Sequence, residues 1–114
     1  MTEQECQNLL GWLVRREHLA RKGIQLKVKN IQAGRAVWGT KTVTIPSWAL
    51  GDQYRGTAYV IHEVAHFVNY YKGRNDNHGP AFKRIENRLL KLFGLSIKRK
   101  RAYAKALYYN GELI

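Results

Sequence analysis

Residues 57–72, TAYVIHEVAHFVNYYK, determine how the rest of the chain can be arranged. Their apolar residues recur at helical spacing, and Gly73 suits the position just past a helix end. We therefore expect an α-helix over residues 57–72. The residues on its apolar side are Ile61, Val64, Ala65 and Val68.

The same segment contains the motif H-E-x-x-H, formed by His62, Glu63 and His66. Histidines at i and i+4 lie one turn apart on one side of a helix, so both imidazoles can reach one zinc ion. The intervening Glu can then act as general base on a water at the metal. On a helical wheel the two histidines flank the apolar side. The motif predicts a catalytic zinc site in which Glu63 is the catalytic residue.

A catalytic zinc takes three protein ligands, so a third ligand is required. His78 is the first candidate, because the loop before Pro80 can bring its side chain back over the motif. Glu86, on the next helix, is the competing candidate, and Asp76 is a weaker one. His18 lies among Arg and Glu residues, and we interpret it as a surface histidine.

Upstream of the motif, the sequence predicts one helix and three short strands. Thr2 and Glu5 have the spacing of a capping box and begin an amphipathic helix that we expect to end near Gly23. Residues 24–31 alternate apolar with polar, as a half-buried strand does. Residues 35–38 and 41–45 are predicted to form a hairpin. We expect 41–45 to be an edge strand with which an extended peptide substrate can pair. Pro46 closes that strand, and residues 47–56 are expected to form a loop.

Downstream of the motif, the sequence predicts one or two further helices. Residues 72–79 form a polar loop, and Pro80 fits the first turn of a helix that stops at Gly94. A last basic stretch, 98–109, could form a fourth helix. The apolar stripe of the predicted third helix consists of Phe82, Ile85, Leu89, Leu92 and Phe93.

The chain is long enough for one domain. Its 114 residues, 45% hydrophobic and 25% charged, can bury a core of their own, so we expect residues 1–114 to fold as a single domain. Neither a signal peptide nor a membrane span is recognisable, and the lone Cys6 cannot form an internal disulfide. We expect an intracellular protein, in the cytoplasm or associated with the nucleoid, with no membrane partner.

The charge balance favours a polyanionic partner. Twenty Lys and Arg against eight Asp and Glu give a net charge of +12, which points to nucleic acid. The basic residues concentrate in segment 83–105. Those on the predicted third helix, up to Lys91, lie on the side opposite its apolar stripe. We expect sequence-independent contacts to DNA phosphates there. The candidate residues are Lys83, Arg84, Arg88, Lys91, Lys98, Arg99, Lys100, Arg101 and Lys105.

Two motifs together are similar to those of a known family. HEVAH at 62–66, followed by NHGPAF at 77–82, resembles the SprT-like zinc metallopeptidases, which include the Spartan DNA-protein crosslink proteases. The hairpin AGRAVWGTKTVTI at 33–45 is also similar, so the resemblance covers roughly residues 33–86. It implies a small zincin-like α+β fold. It also implies zinc ligation by His62, His66 and His78, with Glu63 as catalytic base.

The resemblance further implies a protein or peptide substrate, in particular a protein on DNA. One departure is that a single cysteine excludes the cysteine-based zinc ribbon that many family members carry after the protease domain. We expect the basic segment 83–105 to take the place of that ribbon. Two alternatives remain open at this stage: a basic DNA-binding module with a non-catalytic zinc site, and a zinc hydrolase acting on a different amide.

Overall fold

The computed structural model describes residues 1–99 and 105–114, which form an α+β domain built around one central helix. This confirms the predicted fold class. Within the described residues, no helix is long and apolar enough to cross a bilayer. In chain order the elements are α1 (Glu3–Arg16), β1 (Gln25–Lys29), β2 (Arg35–Val37), β3 (Thr42–Pro46), α2 (Gln53–Tyr71), α3 (Pro80–Lys91), β4 (Leu95–Arg99), β5 (Lys105–Tyr109) and β6 (Glu112–Leu113), with 3-10 helices at Ala20–Lys22 and Ser47–Gly51.

Helix α1 begins as the sequence predicts but ends earlier. The Thr2 hydroxyl accepts a hydrogen bond from the backbone of Glu5 at 3.1 Å, and the Glu5 carboxylate accepts one from the backbone of Thr2 at 2.9 Å. The α-helix ends at Arg16 because His18 has a φ of 59°, which no right-handed helix accommodates. The 3-10 helix fills the remaining distance to Gly23. The buried residues of α1 are Cys6, Leu10, Leu13 and Val14.

The first sheet has the strand order β1-β3-β2, with β1 parallel and β2 antiparallel to β3. The hairpin predicted between β2 and β3 is confirmed. The assignment of 41–45 as an edge strand was wrong, because β3 is the central strand and all of its residues are buried. A strand with neighbours on both sides has no unpaired backbone groups for a substrate. The strand with an open edge next to the motif helix is β2.

Helix α2 forms the centre of the domain and packs against α1, α3 and the first sheet. It begins at Gln53, one turn earlier than predicted, because the Asp52 carboxylate caps it by accepting from the backbone of Tyr54 at 2.8 Å. The predicted loop 47–56 is therefore a 3-10 helix followed by the first turn of α2. The far end agrees with prediction, since Gly73 has a φ of 77°.

Helix α3 starts with Pro80 at its first position and is followed by Gly94 at a φ of 71°, as predicted. Phe82, Ile85 and Leu89 are buried against the core. Leu92 and Phe93 both lie past the end of the helix, where Leu92 is exposed and Phe93 is partly buried against the core, so the predicted apolar stripe is two residues longer than the helix.

The described residues of the C-terminal part form a second sheet, of order β4-β5-β6. The fourth helix expected over 98–109 is therefore wrong for residues 98–99 and 105–109, which are strands, and its residues 100–104 lie outside the described residues. Strands β4 and β5 pair antiparallel from Leu95 opposite Tyr109 to Arg99 opposite Lys105. The turn into β6 is made by Asn110 and Gly111, with φ of 50° and 84°. Positive φ at both positions is the geometry of a type I′ hairpin, for which Asn-Gly is the strongest short sequence signal. The Asn110-Gly111 dipeptide is therefore a signal in the sequence for this hairpin and against a helix in this part of the chain.

Candidate metal centre and catalytic cleft

Three imidazole rings converge at the surface of α2. His62 and His66 stand one turn apart on the helix, and Nε2 of His78 lies 3.2 Å from Nε2 of each. The ligand atoms of the three residues all lie within 4.8 Å of one another. A ring nitrogen has one proton or one lone pair in the ring plane, so His78 Nε2 cannot form good hydrogen bonds to both partners. Nitrogens around a tetrahedral zinc are separated by about 3.3 Å. The two distances from His78 match this separation.

The loop between α2 and α3 positions His78 through Asp76. The Asp76 carboxylate accepts from the backbone of Ala81 at 2.8 Å and from the side-chain amide of Asn69 at 2.8 Å. It thereby caps α3 and ties the loop to α2. Although desolvation raises the pKa of Asp76, these hydrogen bonds together hold it below its ordinary value. Asp76, the weaker candidate ligand, is thus engaged in fixing the loop and is not in the metal-binding group.

Glu86 stands behind His62 and not among the three ligands. It is only 6% exposed, and its Oε2 lies 2.5 Å from Nδ1 of His62. A carboxylate at Nδ1 keeps the proton on that nitrogen and leaves the lone pair on Nε2, which faces the other histidines. The carboxylate therefore orients the His62 ring as a metal ligand would require. His78 and not Glu86 completes the group with His62 and His66.

Glu63 faces the cleft beside the histidines. Its side chain is buried, with 3% exposure, and its Oε2 has no hydrogen-bond partner, while Oε1 lies 3.8 Å from Nε2 of His62. Burial raises its pKa to about 7, against the opposing effect of His62. A buried carboxylate oxygen without a partner is costly, and such groups concentrate at functional sites. The arrangement fits a proton acceptor next to a metal.

Aromatic rings hold the histidines in place. Phe82 stacks on His66 with centroids 4.2 Å apart, and Trp38 meets the same ring edge-on at 6.2 Å. Desolvation, and then the neighbouring His62, lower the pKa of His66 to about 4. The ring is therefore neutral at pH 7, which is the form that coordinates a metal.

A cleft of about 350 Å³ opens over the cluster, between β2 and the loop that carries His78. Arg35 and Ala36 of β2 line one side, and Asn75 and Asn77 line the other. Among the described residues β2 pairs only with β3, so its outer edge runs free along the cleft. The cleft therefore has an edge strand, which is β2 and not the neighbouring strand β3 that the sequence predicted.

The family model for SprT-like proteins matches residues 3–101, which include the whole cluster. The chain belongs to the SprT-like family. The match extends well beyond the segment on which the resemblance in sequence rested. No curated protein and no solved structure matches the chain significantly.

The SprT-like domain exposes part of the predicted DNA-binding surface. Lys83, Arg84 and Lys91 are exposed on α3, and Lys98 is exposed on β4, where its ammonium lies 5.2 Å from the centre of the Tyr108 ring. Arg88 differs, because its guanidinium pairs with the carboxylate of Glu17, the residue just past the end of α1. Lys100 and Arg101 lie outside the described residues. Of Arg99 and Lys105 only the backbone pairing at the end of β4 and β5 is described.

Two residues of the SprT-like site were not anticipated in their actual roles. The sequence predicts Glu86 only as a possible ligand and Phe82 only as a core residue. The HGPAF segment carries a signal for both, since Pro80 starts a helix on which Phe82 and Glu86 are four residues apart and share a face. That face meets α2 beside His62 and His66.

Proposed function

We propose that this SprT-like protein is a zinc metallopeptidase that cleaves DNA-associated proteins inside the cell. The observation that carries the proposal is the convergence of three histidine Nε2 atoms beside the buried, partnerless carboxylate oxygen of Glu63. Three protein ligands with an adjacent carboxylate are typical of catalytic zinc sites, whereas structural sites are usually closed by four ligands.

The chain's own residues account for the proton transfers of peptide hydrolysis. When bound by His62, His66 and His78, zinc would supply Lewis-acid polarisation of the carbonyl and acidify the attacking water. Glu63 accepts the proton from that water and donates it to the amine that leaves. A pKa of about 7 suits both directions of transfer at neutral pH. Glu86 holds His62 in the coordinating tautomer throughout.

The free edge of β2 provides a place for an extended substrate. A peptide that adds to this edge by main-chain hydrogen bonds would run along the cleft past the histidines. Gly34, just before β2, is fixed by a hydrogen bond from its N–H to the Tyr59 hydroxyl at 2.7 Å. A rigid strand beside the proton acceptor supports cleavage of an unfolded or locally extended protein segment.

The proposed DNA partner rests on charge. The net charge is +12, and Lys83, Arg84 and Lys91 form an exposed basic row on α3. Such a surface attracts phosphates without reading sequence. DNA binding would bring the cleft close to proteins that are attached to the same DNA.

Substitution of Glu63 tests the proposed function. In Glu63→Gln the proton acceptor is lost while the three histidines remain, so we expect turnover to fall by about 10²-fold or more with zinc content unchanged. The substrate is a protein covalently attached to DNA, compared with the same protein free in solution. Glu112→Gln, which changes an exposed carboxylate on β6, is the matched control and should cleave like the wild type.

Two outcomes would contradict parts of the proposal. Full turnover by Glu63→Gln would exclude the mechanism. A wild-type protein that binds zinc and DNA but cleaves neither form of the substrate would favour the alternative of a basic DNA-binding module with a non-catalytic zinc site.

A further inference from the structure

A second cavity, of about 290 Å³, shares His62 with the cleft over the histidine cluster but is not lined by Glu63. Its remaining walls come from three elements: Trp48 of the second 3-10 helix, Ala58 and Tyr59 of α2, and Ile97 and Leu107 of the second sheet. These walls are mostly apolar. A cavity of this size accommodates one large side chain and is smaller than most pockets for a whole small-molecule ligand.

The polar atoms of the two aromatic walls are engaged with the backbone. The Trp48 indole N–H donates to the carbonyl oxygen of Gln32 at 2.9 Å, and the Tyr59 hydroxyl accepts from the N–H of Gly34 at 2.7 Å. The two rings meet edge to face with centroids 5.7 Å apart. An occupant of the cavity therefore meets ring surface, which favours an apolar group.

Arg55 is the side chain with a permanent charge at this cavity, in the part of the chain that the structure describes. Its guanidinium pairs with the Asp52 carboxylate at 3.4 Å and donates to the carbonyl oxygen of Ile114 at 3.3 Å. Since Arg55 already has an anionic partner, the cavity offers little attraction for an acidic side chain.

We infer that this cavity, here called the apolar pocket, receives one large apolar side chain of the substrate next to the bond that is cleaved. The inference rests on the proposed peptidase function and adds to it a preference for one kind of substrate side chain. A peptide extended along β2 advances about 3.3 Å per residue and points successive side chains to opposite sides. A chain that passes His62 can therefore direct one residue into the apolar pocket while its neighbours point away.

Cleavage of a peptide library tests this preference, with the protein loaded with zinc and assayed with and without DNA. Cleavage sites are mapped by mass spectrometry on both sides of the bond. We expect Leu, Met or Phe to be favoured over Ala at one position flanking the cleaved bond, on the order of tenfold in kcat/KM. A preference for Asp or Glu at that position would overturn the inference and would indicate recognition by Arg55.

Two variants change the pocket from different elements. Trp48→Ala removes an exposed wall residue, and we expect it to reduce the discrimination between Leu and Ala substrates to less than about threefold. Ala106→Leu, on β5, narrows the pocket and should raise KM for the Leu substrate with little effect on the Ala substrate. Trp12→Ala is the matched control, since Trp12 is also exposed but packs against Phe93 away from both cavities. Unchanged discrimination in both pocket variants would overturn the inference.

Calorimetric binding of the same peptides to zinc-loaded Glu63→Gln separates this inference from the proposed function. If the Leu peptide binds more tightly than the Ala peptide, and Trp48→Ala in the same background removes the difference, the pocket is supported even when no peptide is cleaved. Cleavage without any apolar preference would retain the peptidase and overturn the pocket. Equal binding of both peptides, or no binding, would also overturn the pocket.

Discussion

At the scale of single residues, two buried carboxylates beside His62 differ in the chemistry open to them because their neighbours differ. Glu63 is buried with an oxygen that lacks a partner, whereas Glu86 is buried against the ring nitrogen of His62. The first arrangement leaves a group available for proton transfer. In the second arrangement the carboxylate of Glu86 orients the ring of His62. Substitutions can therefore distinguish the residues that would bind the metal from the residues that orient them, by their effects on zinc affinity.

The first prediction concerns the third ligand. We expect His78→Ala to abolish tight zinc binding, because only two imidazoles remain. Glu86→Gln should keep one zinc per chain but weaken its affinity by about 10- to 100-fold, since the ring of His62 is no longer held by a charged acceptor. Competition with a chromogenic chelator measures both effects. His18→Asn, at an exposed position with left-handed backbone that Asn tolerates, is the control. Full zinc retention in His78→Ala would reassign the ligand.

At the scale of elements, the short connection from α2 to α3 determines whether the metal group exists. The histidines on α2 are fixed by the helix, but His78 depends on a loop that Asp76 ties to both helices. The loop also brings α3 back against α2, so that Phe82 and Glu86 reach the same histidines. Changes to this connection should therefore affect metal binding even where no ligand is altered.

Gly79 provides the test of that connection. A Cβ at this position would lie 2.6 Å from Oδ2 and 2.9 Å from the backbone oxygen of Asp76, although the φ of −78° suits any residue. We expect Gly79→Ala to destabilise the fold by about 1–3 kcal/mol through this overlap and to weaken zinc binding. Urea unfolding and chelator competition measure the two effects. Gly39→Ala, with no atom within 4 Å of the added Cβ, should change neither.

The pair of Glu17 and Arg88 joins α1 to α3 and predicts a pH dependence of stability. The hydrogen bond from Arg88 is the main cause that lowers the pKa of Glu17 below its ordinary value of 4.5. Because the pKa of Glu17 is lower in the folded state, the ion pair stabilises the fold fully above pH 4.5. This stabilisation is lost as the pH falls through the folded-state pKa. Because Arg88 is 45% exposed, we expect Arg88→Gln to cost about 0.2–1 kcal/mol at pH 7.

The measurement is urea unfolding of wild type and Arg88→Gln from pH 7 to about pH 3, taking the difference between the two so that other titrating carboxylates cancel. The difference in free energy of unfolding between wild type and Arg88→Gln should become smaller as the pH falls towards about 3. Arg84→Gln, exposed on the same helix, should show no such trend. A difference that grows on acidification would contradict the assignment.

At the scale of the whole molecule, the net charge is +12, but not every basic side chain is available to a partner, because Arg88 forms an ion pair with Glu17. Arg88 was expected to contact DNA, but its charge is directed to Glu17 and contributes to holding α1 on α3. The exposed lysines and Arg84 on the same helix keep their charge available to a partner. The proposed DNA contact surface is therefore narrower than the basic segment in the sequence.

Salt-dependent DNA binding tests that surface. Fluorescence anisotropy at several salt concentrations should give sequence-independent affinity that falls steeply with salt. Each lost phosphate contact should reduce the log-log slope by about 0.7 to 0.9. We therefore expect Lys83, Arg84 and Lys91 replaced together by Glu to reduce both affinity and slope. As the control, the exposed residues Arg21, Lys27 and Lys29 are also replaced together by Glu, which gives the same net charge. This control variant should lose less affinity and less of the salt slope. Equal effects of both sets would indicate non-specific attraction alone.

The sequence by itself determined the features that depend on neighbours along the chain. The capping box of α1, the helix that carries His62, Glu63 and His66, and the Pro80 start of α3 all follow from spacing and local backbone preference. His78 could be proposed as a third ligand because a short loop limits how far its side chain can lie from the motif. These inferences needed no knowledge of which elements pack together.

Only the tertiary structure decided what depends on contacts between distant segments. Period-2 patterns predict strands but not their order, so the central position of β3 and the free edge of β2 could not be derived. The ion pair of Arg88 with Glu17 likewise joins residues that are far apart in sequence. Such contacts are selected by burial of the whole core, and a single sequence carries no local signal for them.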